Sequence, residues 1–140
     1  MDEQILNFLN KDRICVISVP MEDESLHSAA VHFSFQESPF KFYIQTSKTS
    51  LKAKPFLGGA TKNGAIVIGF SEQDWITLQM HGSVRAVLDP NEAETVAETH
   101  YKKQPQAKQR KGPNSIFMEF TPTWYRFTDF NTKPPTIITG

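Results

Sequence analysis

The sequence predicts a mainly β protein, a Greek-key or meander barrel with peripheral helices. Three observations carry that expectation. Eleven phenylalanines in 140 residues supply a large aromatic payload for a core. Several short segments alternate apolar and polar residues with the period of 2 that marks a half-buried strand. Most of these segments follow one another through short turn-like connections, so sequence neighbours can pair antiparallel. The count is roughly seven strands and two or three helices, in one domain spanning residues 1–140. A closed barrel of this size fills its interior with side chains. A ligand would then sit outside, against a partner or a helix.

Taken in order, residues 2–10 read as a short amphipathic helix. Ile5, Leu6 and Leu9, with Phe8, form its apolar side, and Asp2 and Glu3 sit where the helix dipole favours acids. Residues 13–19 (RICVISV) are apolar at nearly every position, as in a strand covered on both faces. Residues 20–25 are an acidic turn. Residues 26–35 alternate without a break: His27, Ala29, Val31, Phe33 and Phe35 on one face, Ser28, Ala30, His32 and Ser34 on the other.

Residues 40–45 form the next strand, which runs into Thr46, Ser47, Lys48, Thr49 and Ser50 and then a string of helix formers, residues 51–54. Pro55 kinks that short helix and Gly58-Gly59 ends it. Residues 65–70 are another apolar strand. Residues 75–88 are the longest strand pattern, with a bend expected near Gly82. Ile76, Leu78, Met80, Val84, Ala86 and Leu88 face one way, and Trp75, Thr77, Gln79, His81, Ser83 and Arg85 the other. Pro90 opens a helix to about residue 103, and residues 104–113 follow as a polar loop. Residues 116–120 and 124–130 read as two closing strands around Thr121-Pro122-Thr123, and Pro134-Pro135 begins an extended tail.

Charge and cysteine usage exclude several classes. Fifteen basic residues balance fifteen acidic ones, so no global field favours nucleic acid or an anionic membrane. The basic cluster from Lys102 to Lys111 lacks interleaved aromatics and suits a solvated loop, or one that helps cover a site. Cys15 stands alone in an apolar run, which argues an inert core thiol. No apolar run approaches a membrane span and no signal peptide is read, so a cytoplasmic location is expected. His27 and His32 fall on opposite strand faces, and His81 and His100 on different elements, so no metal site is expected.

The stretch 40–59 has the most chemical content. A strand that ends in hydroxyls and enters a helix can hold a phosphate: the first helical N–H groups are unpaired, Ser47, Thr49 and Ser50 add hydroxyls, and Lys52 adds charge. The same residues also suit a plain helix cap with solvated lysines. Three polar faces carry neutral hydrogen-bonding groups: Ser28, His32 and Ser34; Thr77, Gln79 and His81; Gln45 and Ser47. Such groups suit a planar heterocycle with mixed donors and acceptors.

These residues, in this order, resemble the pyridoxamine 5′-phosphate oxidase-like, FMN-binding split-barrel family, most of all its small general members. The resemblance spans nearly the whole chain: RICVISVP, HSAAVHFSF, FYIQTSKTSLKAK, WITLQMHGSVRAVLD, a helix after Pro90, and FMEFTPTWYRFTDF. Residues 46–52 are its most specific piece. The resemblance implies a split β-barrel homodimer with FMN in a groove at each end of the subunit interface; FAD, a deazaflavin or haem are alternatives. Ser50 and Lys52 would bind phosphate, with a backbone N–H from Leu51. Thr46 and Ser47 would lie along the ribityl chain or ring edge. Thr77 and Gln79 would meet the isoalloxazine, His32 with Ala30 and Val31 would form the strand under the ring, and Trp124 would approach from the second subunit.

The implied function is flavin-dependent redox chemistry on a small substrate, with a nicotinamide donor among the possible partners and no nucleic acid or membrane. A non-catalytic flavin or haem carrier related to stress, or a member with an empty groove, stands as the alternative. Pyridoxamine phosphate oxidation itself is not expected. Residues 29–34 (AAVHFS) lack the Arg and Lys those enzymes carry there, Leu51 stands in place of an Arg, and the chain ends in NTKPPTIITG rather than an Arg-Leu-x-Pro sequence.

Overall fold

The computed structural model describes residues 1–140. Helix α1 (Glu3–Lys11) is capped by Asp2, whose carboxylate accepts from the Gln4 N–H at 2.8 Å. Its Ile5, Phe8 and Leu9, at i, i+3 and i+4, are buried, and Phe8 meets Phe127 edge-on at 5.7 Å. Each contributes roughly 1.5–3 kcal/mol by leaving water, which anchors a helix too short to persist alone.

Eight strands follow: β1 (Ile14–Pro20), β2 (Leu26–His32), β3 (Ser34–Gln36), β4 (Lys41–Ser47), β5 (Thr61–Ile68), β6 (Ile76–Val87), β7 (Ser115–Asp129) and β8 (Thr136–Thr139). They form one antiparallel sheet in the order β2-β1-β5-β6-β7-β4-β3, with β8 added to β7. The two ends of that order, β2 and β3, are consecutive strands separated only by Phe33. The sheet must therefore curl until its ends meet, and its concave side is filled by Phe33, Phe42, Phe120 and Phe127 with aliphatic neighbours. The expected β-rich barrel with peripheral helices is what forms.

Several expectations are corrected. The uninterrupted strand over 26–35 breaks at Phe33, whose N–H turns to the Arg13 carbonyl; after the break Ser34 points into the protein rather than sharing a face with Ser28 and His32. β1 is covered on one face only within this chain: Cys15, Ile17 and Val19 are buried, Val16 and Ser18 half-exposed. Burial pushes the Cys15 thiol up to about 12, consistent with an inert thiol.

The two closing strands are one strand, β7. Pro122 is tolerated because it sits opposite Gly82 at a bulge, where the register with β6 shifts between His81 and Gly82. Here lies the bend expected near Gly82. A Cβ on Gly82 would lie 2.2 Å from the Thr121 carbonyl oxygen, so only glycine lets the strands approach. The tail after Pro135 pairs as β8 rather than hanging free.

Helix α2 (Pro90–Lys103) begins at Pro90 as read, with Asp89 capping the Glu92 N–H. Its Ala93, Val96, Ala97 and Tyr101 pack against Tyr43, Val87 and Phe117 on the convex side of the sheet. Glu119, buried on that side, accepts from Lys41 at 2.9 Å and from Arg85, which also pairs with Glu92 of α2. Burial alone would raise the Glu119 carboxyl; the bonds from Lys41 and Arg85 outweigh it and hold it below the ordinary range. No helix is long and apolar enough to cross a membrane.

Candidate functional site

The curl does not close completely. β2 bonds to β1 and β4 bonds to β3 and β7, but β2 and β4 face each other without pairing. Beyond Tyr43, where β3 ends its pairing, the β4 edge has no strand beside it on that side. A seam results, and a groove of about 450 Å³ opens along it. Ala30, Val31 and His32 come from β2, Gln45, Thr46 and Ser47 from β4; α2 supplies His100, and Arg110 with residues 112–115 closes the remaining wall. Its size falls in the range of small-molecule sites.

Five of the predicted contact residues, Ala30, Val31, His32, Thr46 and Ser47, thus line one groove. Ser50 borders it: the Thr46 hydroxyl donates to the Ser50 hydroxyl at 3.1 Å. Leu51 is exposed and its side chain lies against the acidic turn, in a shallow depression with Glu22 and Asp23. Lys52 is half-buried, pairs with no carboxylate, and has its pKa lowered by burial. Thr77, Gln79 and Trp124 are not brought to this groove within one chain. Thr77 lies beside Phe70, Trp75 and Phe130; Gln79 is exposed opposite Val67 and Arg126; Trp124 stacks on His81 at 4.7 Å. Thr77 and Gln79 lie on β6, two strands removed from β4 and three from β2, and Trp124 lies on β7 beyond the part that pairs with β4.

The helix-start phosphate site is corrected. Residues 48–53 form successive turns, and the only regular piece after them is a single 3-10 turn, Lys54–Phe56, with Pro55 inside it. The hydroxyls bond among themselves, Ser47 with Thr49 at 2.8 Å. The backbone N–H groups of Leu51 and Lys52 make no bond inside the chain, so donors remain, but without a helix dipole behind them.

The polar loop 104–113 proves to be largely a 3-10 helix, Pro105–Arg110. Its first anchor, Gln104, is fully buried: its amide donates to the carbonyls of Phe33 at 3.0 Å and Arg13 at 3.2 Å and accepts from the Arg13 guanidinium at 3.0 Å. His100 is buried too, with Nδ1 2.8 Å from the Ser34 hydroxyl and its ring edge-on to Phe117 at 5.5 Å. Burial first, then His32 and Arg110, push its pKa down to about 4, so the imidazole is neutral. His32 is lowered by burial, Arg13 and Arg110. The amide oxygen of Gln45 is buried with no partner at hydrogen-bond distance; the amide nitrogen donates to Ser115 at 2.7 Å. The Tyr101 hydroxyl is buried as well; burial raises its pKa, and the Gln45 amide opposes that rise.

His100 and Gln104 escape a strand-by-strand reading because they act 66 and 71 residues away, on Ser34 and Phe33, and Arg110 is carried to the groove by the 3-10 helix that follows them. One signal was available: His100 and Gln104 continue the stripe Ala93, Val96, Ala97, so polar groups stand where the helix faces the sheet.

An antiparallel barrel with an unpaired seam and a polar groove along it is a split barrel. No protein-family model matches the sequence, and no curated protein matches it. Solved structures match in fold. General stress protein 26 of Bacillus anthracis superposes with a TM-score of 0.69 at 18% identity, over 97% of this chain and 95% of that one. A Clostridium acetobutylicum protein related to general stress protein 26, of the pyridoxinephosphate oxidase family, gives a TM-score of 0.70 at 14% identity, over 100% and 96%. A haem-binding protein of Mycobacterium smegmatis gives 0.72 at 9% identity, over 95% of this chain and 54% of that one. What is shared at these identities is the fold: the chain has the split barrel of the pyridoxamine 5′-phosphate oxidase-like proteins.

Proposed function

We propose that the seam groove binds a flavin, FMN foremost, in a homodimer whose second copy brings Thr77, Gln79 and Trp124 to the ring, and that the protein is a flavin-dependent oxidoreductase acting on a small substrate. One observation supports this most: Ala30, Val31, His32, Thr46 and Ser47 line a single groove of about 450 Å³. FAD and a deazaflavin fit the same reading.

The residues suit a planar heterocycle. The open β4 edge beyond Tyr43 offers main-chain donors and acceptors to such a ring, beside the hydroxyls of Thr46 and Ser47. Thr46 and Ser47 would orient the chain between ring and phosphate, and Ser50, Lys52 and the free N–H of Leu51 would hold the phosphate. His32, kept neutral at pH 7, serves as a hydrogen-bonding wall rather than a fixed charge. When bound, the flavin supplies hydride transfer; the chain binds it, orients it and limits water around it.

A haem carrier is the second reading. The observation favouring it is His32, a half-buried neutral imidazole on the groove, which can ligate iron. The fold likeness to a haem-binding protein is compatible with it. Absorption spectra after incubation with FMN or with haem, each followed by desalting, separate the two. Retained flavin bands that NADPH or NADH bleaches support the oxidoreductase; retained flavin without bleaching supports a carrier. A Soret band lost in His32→Ala supports haem, and retention of neither rejects both.

A further inference from the structure

The groove has no carboxylate among its lining residues, and Arg110 is the one permanent cation there. Arg110 makes no ion pair or side-chain hydrogen bond within the chain, whereas Arg85, Lys41 and the buried Glu119 are fully paired elsewhere. It is placed by construction. Gln104, fully buried, ties the end of α2 to the carbonyls of Arg13 and Phe33, and the 3-10 helix Pro105–Arg110 runs from that anchor to the groove wall. Ala107, buried within it, keeps this turn on the protein.

The guanidinium is felt across the groove, since it disfavours a proton on both His32 and His100. With both imidazoles neutral, an anion meets one uncompensated positive charge and a wall of neutral donors. Arg suits that task because its fork of N–H groups matches two oxygens of a phosphate.

We infer that Arg110 is the anion-binding and specificity-determining residue of the seam groove, gripping a phosphate group of the ligand. The inference rests on the groove being the binding site, and it adds the wall after α2 to the turn carrying Ser50 and Lys52 as a second grip on the phosphate. A flavin lacking phosphate would lose little when Arg110 is changed; FMN would lose much.

The test uses the full-length protein with FMN, riboflavin and inorganic pyrophosphate as probes, on wild type, Arg110→Gln, Arg110→Lys and Lys52→Gln. Arg110 is exposed and Lys52 is half-buried without an ion pair, so these variants should melt with wild type. Binding is read by flavin fluorescence and by the imidazole resonances of His32 and His100 during a pyrophosphate titration. The expected result is that Arg110→Gln weakens FMN and pyrophosphate roughly ten- to hundredfold, leaves riboflavin within about twofold, and that Arg110→Lys restores part of the loss. If wild type prefers FMN and Arg110→Gln keeps that preference, the inference is overturned while the flavin reading stands. Should flavins fail to bind while pyrophosphate moves the imidazoles in an Arg110-dependent way, the flavin reading falls and the anion site stands. Neither probe acting on wild type rejects the anion site outright.

Discussion

The wall formed by β6, β7 and β4 and the seam between β4 and β2 are built from the same kind of strand but finish their bonds differently. In the wall, β6 pairs with β7 over twelve positions, and the buried carboxylate of Glu119 has both Lys41 and Arg85. In the seam, two strands lie side by side without a ladder, the Gln45 amide oxygen has no partner, and Arg110 has no counter-ion. Buried polar groups are nearly always paired, and the wall meets that rule within the chain through Glu119. The seam instead keeps a strand edge open and a guanidinium exposed beside it.

That contrast can be broken at its strongest point first. Gly82→Val puts a Cβ 2.2 Å from the Thr121 carbonyl oxygen, at the one place where β6 and β7 shift register. A loss of about 4 kcal/mol in urea unfolding, or failure to fold, is expected. Wild-type stability would show that the wall yields more easily than its packing implies. Glu119→Ala comes next. It strands Lys41 and leaves Arg85 only Glu92, and should cost about 3 kcal/mol, with Glu119→Gln recovering part of it because the amide oxygen still accepts.

His100 tests where the boundary between the two regions lies. It touches the groove yet is buried like a wall residue. Its pKa falls from the ordinary 6.5 to about 4 on folding. Between those values the unfolded chain takes up a proton that the folded chain refuses. Stability is therefore whole above pH 6.5, falls as pH drops towards 4, and loses about 3 kcal/mol across that window. Denaturation at several pH values should show this slope, and His100→Gln should flatten it. An unchanged slope would place its origin elsewhere.

Smaller effects sharpen the seam. Ser50→Ala and Lys52→Ala together should lower FMN retention by roughly tenfold if the turn after β4 shares the phosphate, with little change in melting, as each removes a polar contact without opening the core. Smallest is Trp124→Ala. The His81–Trp124 stack lies on an open face, so the stability cost should be about 0.5–1 kcal/mol. A loss of flavin beyond that would show that a second copy completes the groove.

How much of this was legible depended on where the information sat. The start of helix α2 could be read because Pro90 and the acidic first turn announce it locally. The bend at Gly82 could be read because a glycine interrupts a long alternation. The break at Phe33 could not: residues 26–35 alternate straight through it, and what turns the chain is the Arg13 carbonyl. Pro122 misled in the opposite sense, suggesting two strands where a bulge opposite Gly82 absorbs it. In the site, His32, Gln45 and Ser47 stood out as neutral polar residues on strands, and Thr46 as the first of the hydroxyls that follow. His100, Gln104 and Arg110 did not, because α2 reaches the seam only through tertiary packing that no local pattern encodes.

Phe33 has a consequence for how anything enters the groove. It is the single residue that joins the two ends of the sheet, and its ring is locked in the core, tilted against Phe42 at 5.9 Å with the Lys103 ammonium 4.8 Å from its centre. The spacing of β2 from β4 is therefore set by a packed aromatic pivot and cannot widen without disturbing the barrel interior. The mouth of the groove is preorganised when the protein folds. A ligand meets an aperture already at its working width, with little ordering left to be done on arrival.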